Sequence, residues 1–527
     1  MTRPYKQLPI GYSTLQEIRE NNAIYIDKTK HIANLVSSGK YYFLSRPRRF
    51  GKSLTINTLK ALFEGNKSLF NGLYIEDKWD WQNKHPIIHL SFGSSQSVNA
   101  EETLLQIIKQ TLHNTAKHHH IELPPLTLNL QFDALIKALS EKCQQRVVLL
   151  IDEYDKPILD VIDQPEKAIR NREILKGVYS TIKDNDAHLR FVFLTGVSKF
   201  SKVSLFSGLN NLEDISLHHK YADICGYTQA ELEDSFRDDL HNTDLSKLKA
   251  WYNGYNFAGT EAQKVYNPFD ILLFLSNGQQ YKNYWFETGT PSFLVKLIAA
   301  RREIVPTLEN YEANLDFINS IDVNNIPIPA LMLQAGYLTI KEAFHYGEEL
   351  WYRLGYPNFE VKTSLNRHLA TIGTATEDAN SNQVQLNKAL LNDDWQHFKL
   401  AIQSFFSTIP YHFYSNAPIH NYEAYYCAII YSYFMALGYK VTLEDTTSQG
   451  RIDMSIHMPQ NKVILFEFKV ANAKDLSQEA LAQIIDKNYA QKFVHLNLPI
   501  YQIGVSFDSN TRSVNGFVVQ EYKIVNN

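Results

Sequence analysis

Three groups of side chains in this 527-residue chain have the types and spacing needed to handle phosphate. The first is Arg46-Pro47-Arg48-Arg49-Phe50-Gly51-Lys52-Ser53, a basic loop closed by glycine, lysine and a hydroxyl. The second is the acid pair Asp152-Glu153, directly behind the apolar run Val147-Val148-Leu149-Leu150-Ile151. The third, far downstream, combines Asp453 with Glu467 and Lys469.

The basic loop follows the apolar run Tyr41-Tyr42-Phe43-Leu44 and precedes Leu54, Ile56, Leu59, Leu62 and Phe63, which share one face at helical spacing. A strand, a loop and a helix in that order make an anion site. Amides at the helix start converge on phosphate, a lysine reaches the terminal phosphates, and the adjoining hydroxyl ligates a divalent cation. Lys52 and Ser53 suit the last two roles, and Arg49, Phe50 and Gly51 join them as candidate nucleotide-binding residues. The usual pattern places glycine five residues before Gly51, where this chain has Arg46. Gly-Lys-Ser alone fits a basic surface loop equally well, so the context has to decide.

Five consecutive apolar residues ahead of Asp152 predict a strand buried on both faces, as in a parallel sheet. Open α/β sheets carry their chemistry at the carboxyl ends of such strands. There Asp152 would hold Mg²⁺ through water, and Glu153 would orient and deprotonate an attacking water. A further strand, Leu189 to Leu194, ends in Thr195, a candidate to sense a terminal phosphate. Strand and helix patterns alternate throughout this half, which predicts a doubly wound parallel sheet. Tyr25 to Thr29 could lie beside a bound base or simply lead into a helix through Ile32, Leu35 and Val36.

The downstream group rests on period two. In the apolar strand Val463 to Lys469, Glu467 and Lys469 fall on one face. Burying an acid and a base there is costly unless they meet a metal or each other. Asp453, on the preceding strand, would share Mg²⁺ with Glu467, and Lys469 would position water or stabilise developing charge. Glu423 is the acidic exception at the start of an apolar helix, Tyr422 to Leu437. The opposing possibility is a buried Glu467–Lys469 ion pair without chemistry.

The remainder of the chain narrows the setting. A net charge of −4 means that any basic footprint for nucleic acid must be local. Cys143, Cys225 and Cys427 lie too far apart for a disulfide framework or a zinc ribbon. No apolar run has signal-peptide or membrane-spanning length, so a cytoplasmic location is expected. Thr228 could cap a helix through Leu232 and Phe236. The rings of Trp251 to Phe257, Tyr266 to Phe269 and Tyr284 to Phe286 suit the core of a small lid better than a stacking platform for bases. Thr374 to Gln385, rich in Asn, Ser, Thr and Ala, reads as an exposed loop.

Ser45 to Ser53, Leu150 to Pro157, Leu194 to Ser201 and Leu209 to Leu212 together resemble the AAA-ATPase-like domain of a bacterial family that carries a PD-(D/E)XK nuclease-like domain behind it. The arginine-rich loop matches that family's own version. Asp453, thirteen intervening residues, then Glu467-x-Lys469 resembles the nuclease signature, with Glu423 similar to its first-helix acid and Gln483 and Tyr489 to its trailing motif. The resemblance implies a P-loop NTPase domain over 1–220, a helical or winged-helix-like lid with connecting region over 221–390, and an α/β nuclease-like domain over 391–527. It further implies ATP and Mg²⁺ as cofactors, and nucleic acid, DNA ahead of RNA, as partner of the C-terminal domain. The chain is thus expected to be an ATPase coupled to a Mg²⁺-dependent nuclease. The alternative is a nucleotide-controlled switch that binds nucleic acid or protein without cutting.

Overall fold

The computed structural model describes residues 6–93, 100–200, 209, 211–259, 263–289, 294, 310–323, 326–371, 376–407, 423–458 and 461–523. Ser201, Asn210 and Tyr422, which fall in stretches singled out in the sequence, lie outside the described residues. The chain divides into two compact units, with the break between Asn358 and Phe359.

The first unit is built on five strands: β1 (Tyr41–Ser45), β2 (Ile87–Ser91), β3 (Val147–Asp152), β4 (Leu189–Gly196) and β5 (Glu213–Asp214). They form one sheet in the order β2-β3-β4-β1-β5, and every pairing is parallel. Every residue of β1 and β3 is buried, as expected of strands covered by helices on both faces. Because β4 lies between β1 and β3, the loop after β1 and the tips of β3 and β4 emerge together at one carboxyl edge. The helix Lys52–Phe63 leaves that loop and buries Ile56, Leu59, Leu62 and Phe63. Helices Leu128–Cys143 and Pro165–Asp184 precede and follow β3, burying Phe132, Leu135, Ile136 and Leu139 in one, Leu175, Val178 and Ile182 in the other.

Beyond β5, Thr228 caps the helix Gln229–Ser235 in a full capping box with Glu231, as its spacing predicts. The aromatic run forms a core here: Tyr252, Tyr266 and Trp285 are fully buried, and Tyr252 and Tyr266 pack with Leu232, Phe236, Leu248 and Phe274. Strands β6 (Tyr311–Asn314), β7 (Thr339–Tyr346) and β8 (Glu349–Gly355) make a small antiparallel sheet ordered β6-β8-β7.

The second unit holds β9 (Lys440–Thr447), β10 (Gly450–Met458), β11 (Lys462–Ala471), β12 (Ile500–Asp508) and β13 (Ser513–Tyr522), paired in the order β13-β12-β11-β10-β9. Only the β11–β12 pairing within this sheet is parallel, and the helix Ser477–Asp486 lies in the connection between them. That helix sits so close to β12 that a Cβ at Gly504 would fall 2.1 Å from the Ser477 carbonyl oxygen. Of the apolar helix Glu423–Ala436, Tyr426, Ile430, Phe434 and Met435 are buried.

One local expectation fails. From Thr376 the segment read as an exposed loop is a helix, Thr376–Leu391. Its polar residues signal a turn, but Leu386, Ala389 and Leu390 at its end are buried, and the helix packs on Trp395–Ser407. Tertiary packing outweighs local composition there. Among the described residues, no helix is long and apolar enough to cross a membrane.

Candidate nucleotide site and candidate acidic site

Gly51 makes the turn into the first site possible. At φ 95° it occupies the left-handed region directly before Lys52, the first residue of the helix. Lys52 is 5% exposed, and its Nζ donates to the carbonyl oxygens of Arg46 and Pro47, both at 2.9 Å. The loop therefore curls around its own lysine. Burial lowers the Lys52 pKa from its ordinary value, while the charges of Glu153, Asp152 and Asp155 oppose that shift. Burial likewise raises Glu153, with Lys52 as the main opposing charge. Lysine and acid pair, a hundred residues apart in the chain, thus meet at one edge of the sheet.

Thr195 lies at that edge as well, but its hydroxyl is engaged: Oγ1 donates to Asp152 Oδ1 at 2.6 Å, and both residues are buried. Ser53 lines a cavity of about 500 Å³ together with Arg48, Arg49, Gly51, Lys52 and Glu153. Ile24, Tyr25, Ile26 and Tyr227 line the same cavity, so the segment suspected of lying beside a base borders it. Phe50 is 1% exposed and packs edge-on against Tyr255 and Phe257, at centroid distances of 4.7 and 5.6 Å. Its ring anchors the loop, which leaves its backbone as the part suited to a phosphate. Arg49 adopts φ 68° and stacks its guanidinium 4.9 Å from the Phe269 ring centroid.

Arg46, where a glycine is usual, is fully buried. Its guanidinium donates to the carbonyl oxygens of Ser45, Ser216 and Tyr221 and stacks 4.0 Å from the Phe257 centroid. It braces the base of the loop by tying together the carbonyls of Ser45, Ser216 and Tyr221. Asp155 was not singled out from the sequence. Its buried carboxylate accepts from the amides of Val197 (3.0 Å) and Ser198 (2.6 Å) and from Ser198 Oγ (2.7 Å), tying the segment after β3 to the tip of β4. The available signal was a third acid, three residues beyond Asp152.

In the second unit, Met454 pairs with Phe466 across β10 and β11, so the next step along the antiparallel ladder sets Asp453 beside Glu467. Asp453 Oδ2 accepts from the Phe468 amide at 2.8 Å. Glu467, only 1% exposed, receives the Gln483 side-chain amide at Oε1, with Lys469 Nζ 3.5 Å from the same oxygen. Its other oxygen, Oε2, is buried without a hydrogen-bond partner. Burial, reinforced by the charge of Asp453, pushes Glu467 up to about 8. Burial raises Asp453 also. Lys469 Nζ lies 3.9 Å from Glu423 Oε1, so the structure gathers Glu423, Asp453, Glu467, Lys469 and Gln483. Tyr489, just past the helix that carries Gln483, hydrogen-bonds the Gln483 side chain.

A buried glutamate raised by a half-buried aspartate beside it, and left with one idle oxygen, suits a divalent cation. Among the described residues, no group of three or more His, Cys, Asp or Glu side chains converges on a common point. Such a cation would therefore take its remaining ligands from water and phosphate, the usual habit of Mg²⁺.

A parallel sheet with a lysine loop facing an acid pair, followed by a sheet bearing a buried glutamate beside a half-buried aspartate and lysine, defines a two-module class of protein. Residues 9–206 match the family model described as predicted AAA-ATPase, and residues 421–517 match that of the PD-(D/E)XK nuclease superfamily. A protein of Azotobacter chroococcum mcd 1, named "Uncharacterized protein in vnfD 5'region", is 45% identical over 523 residues, covering 98% of this chain and 99% of its own length. The chain belongs to this family of AAA-ATPase-like proteins with a C-terminal PD-(D/E)XK nuclease superfamily domain.

Proposed function

We propose that the protein binds and hydrolyses ATP in its N-terminal module and cuts nucleic acid, with DNA the first candidate ahead of RNA, in a Mg²⁺-dependent C-terminal module. The division into 1–220, 221–390 and 391–527 and a cytoplasmic location belong to the same proposal. The observation that carries the nuclease half is the buried, unpartnered Glu467 Oε2 beside Asp453. A carboxylate oxygen kept there without a hydrogen bond costs stability unless a cation or a proton meets it. Asp453 and Glu467 would hold Mg²⁺, which when bound supplies Lewis-acid polarisation of a phosphodiester. Lys469 orients the attacking water or offsets charge on phosphorus. Gln483 holds the Glu467 carboxylate in place, and Glu423 holds Lys469.

For the nucleotide half, Lys52 exchanges its loop carbonyls for phosphate oxygens, Ser53 and Asp152 hold Mg²⁺, and Glu153 takes a proton from the attacking water. Thr195 orients Asp152. The second reading, a switch that binds without cutting, draws support from Lys469, which already stands near both Glu467 and Glu423 and partly neutralises them.

A cleavage assay on single- and double-stranded DNA and RNA, with and without ATP and Mg²⁺, separates the two readings. Metal-dependent strand scission that disappears in Asp453→Ala supports the nuclease. Retention of nucleic acid without scission under every metal and nucleotide condition supports the switch.

A further inference from the structure

The phosphate loop contains three arginines, and the structure treats each differently. Arg46 is withdrawn into the protein, held on three carbonyls and the face of Phe257. Arg49 leans on Phe269. Arg48 stays half-buried on the wall of the cavity that Lys52, Ser53 and Glu153 also line. Its backbone is pinned, because Trp285 Nε1 donates to the Arg48 carbonyl oxygen at 3.0 Å and Trp285 is itself fully buried. Its charge also reaches Glu153, where it favours the ionised form. The cation therefore borders the space between the lysine that would grip the terminal phosphate and the acid that would activate water.

We infer that Arg48 is a catalytic residue of ATP hydrolysis, a guanidinium supplied by the chain's own phosphate loop that neutralises charge on the transferring phosphoryl group without help from a second subunit. This rests on the nucleotide-site reading above. In the step, water attacks the γ-phosphorus as the bond to the β,γ-bridging oxygen breaks. The bonding pair leaves with ADP, and Glu153 takes the proton of the attacking water. Charge grows on the bridging oxygen and the equatorial oxygens of the phosphoryl group, where a planar guanidinium binds through two donors and an ammonium through one point. A fixed Arg48 backbone limits the reorganisation needed when that charge appears.

The test uses the full-length chain. Phosphate release and ATP affinity by calorimetry are measured for wild type, Arg48→Ala and Arg48→Lys, with thermal unfolding to verify folding. Arg48→Ala should lose turnover by about a hundredfold or more, below the largest known effects of such arginines, while ATP affinity falls by less than about tenfold. Arg48→Lys should recover only part of the turnover. Wild-type turnover per chain should stay constant from the lowest assayable concentration to the highest. If wild type hydrolyses ATP while folded Arg48→Ala keeps its turnover, or loses only affinity, the role of Arg48 is overturned. Turnover per chain that climbs with protein concentration, together with an insensitive Arg48→Ala, transfers the role to a neighbouring subunit. Wild type that neither binds nor hydrolyses ATP instead removes the nucleotide-site reading beneath the inference.

Discussion

Thr195 Oγ1 donates a 2.6 Å hydrogen bond to Asp152 Oδ1, joining the tips of the neighbouring parallel strands β4 and β3. With its hydroxyl directed there, Thr195 would, in the proposed nucleotide site, act on phosphate only through Asp152. Thr195→Val should therefore lower ATP turnover by about tenfold with ATP affinity nearly retained, since one buried hydrogen bond to a charged group is worth about 1.5–3 kcal/mol. Steady-state phosphate release alongside calorimetric binding checks both halves.

In the proposed nucleotide site Lys52 would exchange its two carbonyl acceptors for phosphate, so Lys52→Ala would remove a cationic contact of the loop. ATP affinity should fall by about a hundredfold or more, equivalent to about 3 kcal/mol. Glu153→Gln keeps the shape of the site but removes the proposed proton acceptor. It should bind ATP normally and lose turnover by about 10²–10⁴-fold. Normal turnover in both variants would refute ATP hydrolysis at this site.

The acidic pair in the second unit makes metal-free stability depend on pH. Glu467 is raised to about 8 when folded, whereas an unfolded glutamate titrates near its ordinary value of 4.5. Between those values the native state binds more protons than the unfolded state, so stability falls as pH rises through the window and levels off above it. Glu467→Gln removes the penalty. Its unfolding midpoint in chelator should exceed wild type by a wider margin at pH 8 than at pH 5. Equal margins would show that Glu467 does not titrate in this way.

Mg²⁺ or Mn²⁺ should raise the wild-type unfolding midpoint, more so at high pH, because the cation competes with a proton for Glu467. Asp453→Ala should abolish that stabilisation along with strand scission. Lys469→Ala should keep metal stabilisation and lose scission by about 10²-fold or more. A variant stabilised by metal yet unable to cut would separate binding of the ion from its chemistry.

Trp285 is fully buried, packs against Tyr337 at 5.2 Å between centroids, and holds the Arg48 backbone. Trp285→Ala should destabilise the first unit by about 3–5 kcal/mol, the range for truncating a buried aromatic ring. Denaturant unfolding measures this directly.

Features written in local order were legible from the amino acids alone. The strand, loop and helix around Gly51 follow from a switch in periodicity; Asp152 and Glu153 end a run that only a buried strand explains; Glu467 and Lys469 share a face because side chains alternate; and Thr228 with Glu231 spells a helix start. What depended on the folded chain involves partners distant in sequence. Arg46 was only a departure from the usual glycine until Ser216, Tyr221 and Phe257 claimed its side chain, and Asp155 had no visible purpose until Val197 and Ser198 turned their amides toward it. The helix Thr376–Leu391, expected as a loop as far as Gln385, belongs with these, since its stability comes from packing that its composition does not encode. Periodicity and capping act over a few residues and leave a trace in the string of letters, whereas the destination of a hydrogen bond or a buried charge is set by which strands become neighbours. The order β2-β3-β4-β1-β5 made that choice for Thr195 and Asp152, and the antiparallel ladder of β10 and β11 made it for Asp453 and Glu467.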